Sequence, residues 1–529
     1  MVRTFTKPGA MLRYIATLAS IVCAICISAQ AGQPTRIEIL NADVWKFDEE
    51  LAPGAQRLQG NVRFKHEGAI MWCDSAYLYD DQRVEAFGNV HMDQGDTLFL
   101  SGDRLTYAGA ERIARLEGNV RLRDKDMELT TPALIYDLRR KQAIYTQGGT
   151  LVSRIDNSTL TSDRGVYNSA TQLFVFSHNV LLQHPERTIE SDTLHYGTGS
   201  GIAEFFGPTT ITQDSTIIHT TRGTYDTKAE RAWFSERSRI LSKGRLLEGD
   251  SISYEKEKGV GKAWGNVIAT DTLNETIAHG EYGWYDEIGE RSMITGRAEL
   301  VMAMAEDTLF LHSDSIFTRA NGTARTIQAH RGVRFYKSDL QGVCDTLVYS
   351  GADSLIRMIH RPALWSGTDQ ISGDSISILM RDQRPHKLFV MQNAFLLSQA
   401  DSVHLDQVTG TIMTGHFNDG ELHRIVAEGN SRTVYFAREE RNGKEELIGV
   451  NRADCSRIDV WLEEGELSTI TFQERPDAIL YPLEKVPPEE LLLKGAIWRG
   501  AERPIDRASI FPGTEGSATG TAPAADKVD

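Results

Sequence analysis

The stretch "EAFGNVHMDQGDTLFLSGDRLTY", Glu85 to Tyr107, decides how this chain is read. The chain writes nearly the same phrase again as "ARLEGNVRLRDKDMELTTPALIY" at Ala114–Tyr136, and later as "KAWGNVIATDTLNETIAHGEYGWY" at Lys262–Tyr285. Each copy has Gly-Asn-Val, a polar turn, and an Asp or its substitute four residues before a Tyr. The acidic marker recurs at Asp74, Asp103, Asp163, Asp192, Asp250, Asp314, Asp345, Asp374 and Asp401, with Pro132, Thr221 and Glu281 standing in between. The steps lie between 27 residues (Asp374 to Asp401) and 33 (Glu281 to Asp314). The middle of Gly-Asn-Val keeps the same beat at Asn61, Asn89, Asn119, Asn179, Asn266, Asn393 and Asn430, with Gly149, Pro208, Ser238, Arg297, Gly332 and Pro362 at the divergent copies. Two markers on one period define about a dozen units of about 29 residues between Ile37 and Leu480.

After each Tyr comes a short polar cluster such as "DDQR", "AGAER" or "DTKAE", which punctuates strands. The chain then turns apolar, meets Gly-Asn, and continues with period-two alternation. Val62 and Phe64, Val90 and Met92, Val120 and Leu122, and Val180 and Leu182 all follow it. Alternation over short runs is the signature of half-buried strands, and no sustained 3.6-residue period is present. Each unit therefore reads as about three short strands. It cannot bury its own apolar face and must stack on its neighbours, giving an all-β repeat body with open sheet edges. A right-handed parallel β-helix is the alternative that a period near 29 residues also suits.

The repeated Asp tempts a catalytic reading, because paired carboxylates cleave glycosides. Catalysis needs one constellation with distinct environments, not many equivalent carboxylates. An Asp that bonds a nearby backbone N–H at a turn is the simpler reading, and Gly-Asn suits a bend or bulge. No nucleotide-binding loop, H-E-x-x-H or G-x-S-x-G motif is present. The fourteen His residues are scattered without metal-ligand spacing. Expected catalytic residues, metals and cofactors are therefore none. A formal net charge of −16 without a basic block in the mature region argues against nucleic-acid binding.

The N-terminus reads as a cleaved secretory signal over residues 1–31. Arg3, Lys7 and Arg13 precede the apolar "IATLASIVCAICISA", and "AQA" closes it. Cys73, Cys344 and Cys455 then remain, too few and too far apart for a disulfide framework, with one disulfide or three buried thiols both open. Repeats run strongly over 32–290 and more divergently over 291–480. A Pro-punctuated segment and a low-complexity tail fill 481–529, with one short helix expected at Pro488–Leu493. Asn442-Gly443 marks a late hairpin.

The phrase "LQGNVRF…DSAYLYDDQRVEAFGNVHMDQGDTLFLSGDRLTY" resembles the repeat of the OstA family, whose members include LptA-like periplasmic lipopolysaccharide-bridge proteins. The likeness runs over about residues 36–475 and is most specific at the four "GNV" copies, 60–62, 88–90, 118–120 and 265–267. The chain is longer than a single-domain bridge protein and lacks the barrel strands of a full translocon. In that it is similar to extended OstA-like proteins of Bacteroidetes-type bacteria. The resemblance implies an elongated β-jellyroll, two sheets folded over each other and open along one side, with no catalytic residues. It implies lipid A acyl chains in an apolar trough, lined here by Val62, Phe64, Val90, Met92, Val120, Leu122, Val180 and Leu182. An ordinary dry core is the competing reading of those eight. It also implies a periplasmic location, with other envelope lipid-transport components stacking on the edge strands.

Overall fold

The computed structural model describes residues 36–47, 53–95, 98–304, 307–322, 324–382, 384–418, 421–441, 444–463 and 466–513. The expected signal peptide, the Asn442-Gly443 pair and the end of the tail lie outside them. The described residues form thirty-six strands and four single 3-10 turns. Pairing is antiparallel throughout both compact units into which the chain divides, Met1–Gln147 and Gly148–Asp529. Antiparallel ladders exclude the parallel β-helix.

In the first unit the strands Ala55–His66, Ala69–Tyr79, Arg83–Gln94, Leu98–Ala108, Ile113–Arg123 and Met127–Asp137 form a meander. Each repeat contributes two long strands, not three short ones, because the chain runs through Gly-Asn without leaving the ladder. Gln59 pairs with Ser75 and Val62 with Cys73, so Gly60 and Asn61 together oppose Asp74 alone. Two residues against one is a β-bulge, which bends the strand and sharpens its twist. Both bulge residues are left-handed, with φ of 75° and 45° at Gly60 and Asn61, and 73° and 44° at Gly88 and Asn89.

The bulge divides every long strand into two arms. A valine arm runs from the Val of Gly-Asn-Val over the next turn to the Asp. A tyrosine arm runs from the Asp over the polar turn to the next Gly. Where Gly-Asn is lost, some copies keep the bulge in one strand, as Ile202–Gln213 and Arg291–Ala303 do, and in others the bend becomes a break. Arg231–Phe234 and Ser238–Ser242 are separate strands, as are Leu355–Ile359 and Ala363–Ser366.

The arms fold against each other. His66, in a valine arm, and Tyr107, in a tyrosine arm, are not neighbours in the ladder: His66 pairs with Ala69, and Tyr107 with Val84 and Ala114. Yet His66 Nδ1 lies 2.6 Å from the Tyr107 hydroxyl, with both side chains buried. The turns beyond them are joined by the Glu67–Arg112 ion pair at 2.8 Å, and the Ile37 amide donates to Gln82 Oε1 at 2.9 Å. Two sheets made of the same strands thus enclose one interior, the jellyroll arrangement.

Candidate binding interior

The inner face of the valine arms is a single cross-strand row. In the first unit it reads Phe64–Met71–Met92–Leu100–Leu122–Leu129, each residue paired with the next. The tyrosine arms supply the facing row Leu58–Ala76–Ala86–Leu105–Leu116–Leu134. All twelve are buried. A fully buried side chain of the larger kinds contributes about 1.5–3 kcal/mol, so these rows hold the arms together.

Of the eight residues singled out in sequence, seven are buried on this inner face: Val62, Phe64, Val90, Met92, Val120, Leu122 and Val180. Leu182 is half-buried. In the first unit solvent does not reach the row, with Phe64 and Met92 both at 0% exposure.

The second unit differs. Its row runs Leu151–Leu160–Leu182–Ile189–Ile211–Ile218–Ile240–Leu247–Ala269–Ala278–Leu300–Leu311–Phe335. The two ends are buried, but the five consecutive positions Ile218, Ile240, Leu247, Ala269 and Ala278 are half-buried. The rim differs from that of the first unit. Arg187 Nη1 donates to the Tyr225 hydroxyl at 2.7 Å across the arms, and Tyr285 is 38% exposed where Tyr107 is closed off. Burial pushes the Tyr107 phenol up to about 12. Tyr285 is raised as well, by burial first, with Arg245 of the opposite arm opposing the shift. Tyr107, Tyr225 and Tyr285 each meet a polar group of the opposite arm, whereas Tyr254 donates to Glu287. The accessible stretch was missed because "TIIHT", "SRILS" and "RLLEG" have the same alternation as the closed repeats.

The paired markers of the sequence are partners. Asn Nδ2 donates to the Asp carboxylate in the pairs 61/43, 89/74, 119/103, 179/163 and 266/250 at 2.7–2.9 Å, and in 393/374 at 3.1 Å. The backbone N–H of Asp43, Asp163, Asp250 and Asp374 also donates to the carbonyl of the first bulge residue. The expected turn N–H is thus replaced, as the carboxylate's partner, by a side chain across the bulge. A Cβ on Gly88 would run into the Asp74 carboxylate, so glycine is required by space as well as by φ. Asp401 departs from the scheme. It accepts the Val403 and His404 amides in a turn, and Thr411 takes the bulge position opposite Gly429–Asn430. Likewise Arg361, not Pro362, holds the second left-handed position of its copy.

Sequence reasoning also missed a strap. Leu483–Gly513 forms no strand, and Pro488–Glu490 is a single 3-10 turn in place of the expected helix. The segment lies on the outer face of the valine arms of the second unit. Two buried glutamines hold its backbone as a strand would. Gln407 donates to the Leu491 carbonyl and accepts from the Leu493 amide, both at 2.8 Å. Gln370 does the same for the Ile497 carbonyl at 2.8 Å and the Arg499 amide at 2.6 Å. Arg503 reaches Gln341, and Arg507 makes a two-point contact of 2.7 and 2.9 Å with buried Glu299. Leu493 joins Phe395, Leu397, Val434, Phe436 and Val450 in a cluster. Beneath the strap the sheet is buried on both faces.

No group of His, Cys, Asp and Glu among the described residues could hold a metal ion. Cys73, Cys344 and Cys455 are free thiols. No helix among the described residues is long and apolar enough to cross a membrane.

Fold and interior define a class: a non-helical jellyroll repeat whose bent strand pairs enclose an apolar lining. Residues 34–192 match the family model described as OstA-like protein. No curated protein matches the chain. Among solved structures it is similar to LptH of Pseudomonas aeruginosa, described as the LptA homologous periplasmic component of the conserved lipopolysaccharide transport device. That likeness is 14% identical, covers 31% of this chain and 92% of that one, and has a TM-score of 0.17. The fold assignment rests on the strand pairing instead.

Proposed function

We propose that the protein is a periplasmic, non-catalytic carrier of lipopolysaccharide that shields lipid A acyl chains between its two arms. The observation that carries this reading is the inward apolar row of the second unit, half-accessible from Ile218 to Ala278, in a chain whose residues 34–192 match the OstA-like model. The first-unit residues Phe64 and Met92 are packed and serve as core. The accessible stretch of the second unit is where a chain enters. Burying a methylene gains about 0.8 kcal/mol, so a ~12-carbon chain gains roughly 10 kcal/mol before ordering costs. A like-charge contact in water at ~4 Å costs about 1 kcal/mol, so a net charge of −16 does not prevent binding when phosphates stay at the rim.

Native mass spectrometry of the protein purified from the envelope tests this. Lipid A-containing adducts are expected. Protein that co-purifies with no acyl lipid, and takes up no lipopolysaccharide on incubation, contradicts the reading. Cleavage of a polysaccharide by the pure protein would replace it with an enzymatic one.

A further inference from the structure

We propose that the outer face of the valine arms between Ile217 and Val301 is a docking track for an extended segment of a partner protein. It continues the track that this chain's own strap occupies. Beneath the strap, Gln407, Gln370 and Gln341 lie on one cross-strand row of the outer face, linked through Leu397 and Trp365. The same row passes through Tyr336 and Phe310 and goes on, pair by pair, to Val301, Ile277, Leu246, Leu241 and Ile217, with Thr270 between Ile277 and Leu246. The strap does not follow it there. Its last described residues end near Phe511, whose ring meets that of His312 at a tilt, with centroids 4.7 Å apart. A cavity of about 260 Å³ opens at that point, lined by Phe511, Arg297, Glu299, Ile268, His279 and Glu281.

Beyond the cavity the row is apolar and uncovered, with Leu241 43% exposed and the other four half-buried. An aliphatic stripe on the solvent face of a sheet marks an interaction surface. Its continuity with a filled track indicates what fits. The strap places Leu493, Trp498 and Ile510 against the sheet side, and sets arginines at 499, 503 and 507 between Leu493 and Ile510. A partner segment of that composition meets the aliphatic row, with Glu281 exposed at the cavity for a basic side chain. The chain's own remainder, Thr514–Asp529, has a single large aliphatic residue, Val528, and lacks this composition. A second copy's strap is committed to its own glutamines.

A synthetic peptide copying Leu491–Phe511, with a photoreactive group at the position of Trp498, stands in for the partner and is added to the full-length protein. Saturable binding is expected, with crosslinks on the 238–249 strands. A Leu241→Asp/Leu246→Asp variant should bind at least tenfold more weakly, and Ile277→Asp alone should also weaken it. Absence of binding overturns the proposal. Crosslinks confined to the 395–407 strands would show strap exchange instead. Concentration-dependent dimers lost in the variant would assign the track to a second copy. Tighter peptide binding after truncation at Gly513 would assign it to the chain's own tail.

Discussion

The side-chain amide of Asn89 donates to the carboxylate of Asp74 at 2.9 Å, across the bulge that Gly88 and Asn89 make. This pair ties the two sequence markers into one device that sets where each strand bends. Gly88→Ala places a Cβ at a φ of 73° and against that carboxylate. A left-handed L-residue costs about 1–2 kcal/mol before any clash. A loss of about 2–3 kcal/mol in local opening free energy, read by hydrogen exchange on the 83–94 strand, is expected. Adding Asp74→Ala should recover part of it, because the clash goes while the φ strain stays. Equal losses in single and double variants would separate the two residues.

Tyr107→Phe removes the hydroxyl that meets His66 inside the interior. A buried polar group left unpaired costs about 1–3 kcal/mol. The first unit should lose about that much stability in urea titration. His66→Leu with Tyr107→Phe should lose less than the sum of the singles. Strict additivity would show that the contact does not couple the arms.

Gln370→Leu deletes both bonds that hold the strap backbone at Ile497 and Arg499. About 2–3 kcal/mol of local strap stability should go. Limited proteolysis between Pro487 and Phe511 should quicken several-fold while the strands stay protected. Unchanged cleavage would mean that the apolar cluster around Leu493 alone retains the strap.

His312 lies against Phe511, and its Nδ1 donates to the Ala298 carbonyl at 2.9 Å. Burial holds its pKa below the usual imidazole value, and the nearby Arg297 and Arg334 add to this, while the Ala298 carbonyl and Glu299 oppose it. The unfolded or undocked imidazole takes a proton first as pH falls through its ordinary value near 6.5, so stability rises with pH across that window and is lost on acidification. Hydrogen exchange at Ile510 and Phe511 should quicken between pH 7 and pH 5.5. The His312→Gln variant should flatten that dependence.

Burial pushes the thiols of Cys73 and Cys344 up to about 12. Neither should react measurably with iodoacetamide at pH 8 until the protein is unfolded. Rapid labelling of either in native buffer would contradict their burial.

The strand content and the inward face were legible because Gly-Asn and the Val-x-apolar alternation are local signals. Val62, Phe64, Val90 and Met92 take their side from the pleat, which a sequence states directly. The Asn–Asp pairing was harder to read, since Asp74 and Asn89 stand on adjacent strands and only the bulge brings them together. What made Phe64 closed and Leu247 accessible was not readable. Both sit on the inward row, and the alternation around them is the same. The strap left no periodic signal. Gln370 and Gln407 look like ordinary polar strand residues until a segment more than 80 residues later lies on them.

Leu246 and Leu247 are neighbours on one strand and face opposite sides of the sheet, Leu246 toward the outer track and Leu247 into the row between the arms. A photoreactive amino acid placed at each position in turn, in cells making lipopolysaccharide, measures the central claim. A lipopolysaccharide adduct at position 247 and none at 246 is the predicted result. No adduct at 247, or equal adducts at both, would contradict a lipid-carrying interior.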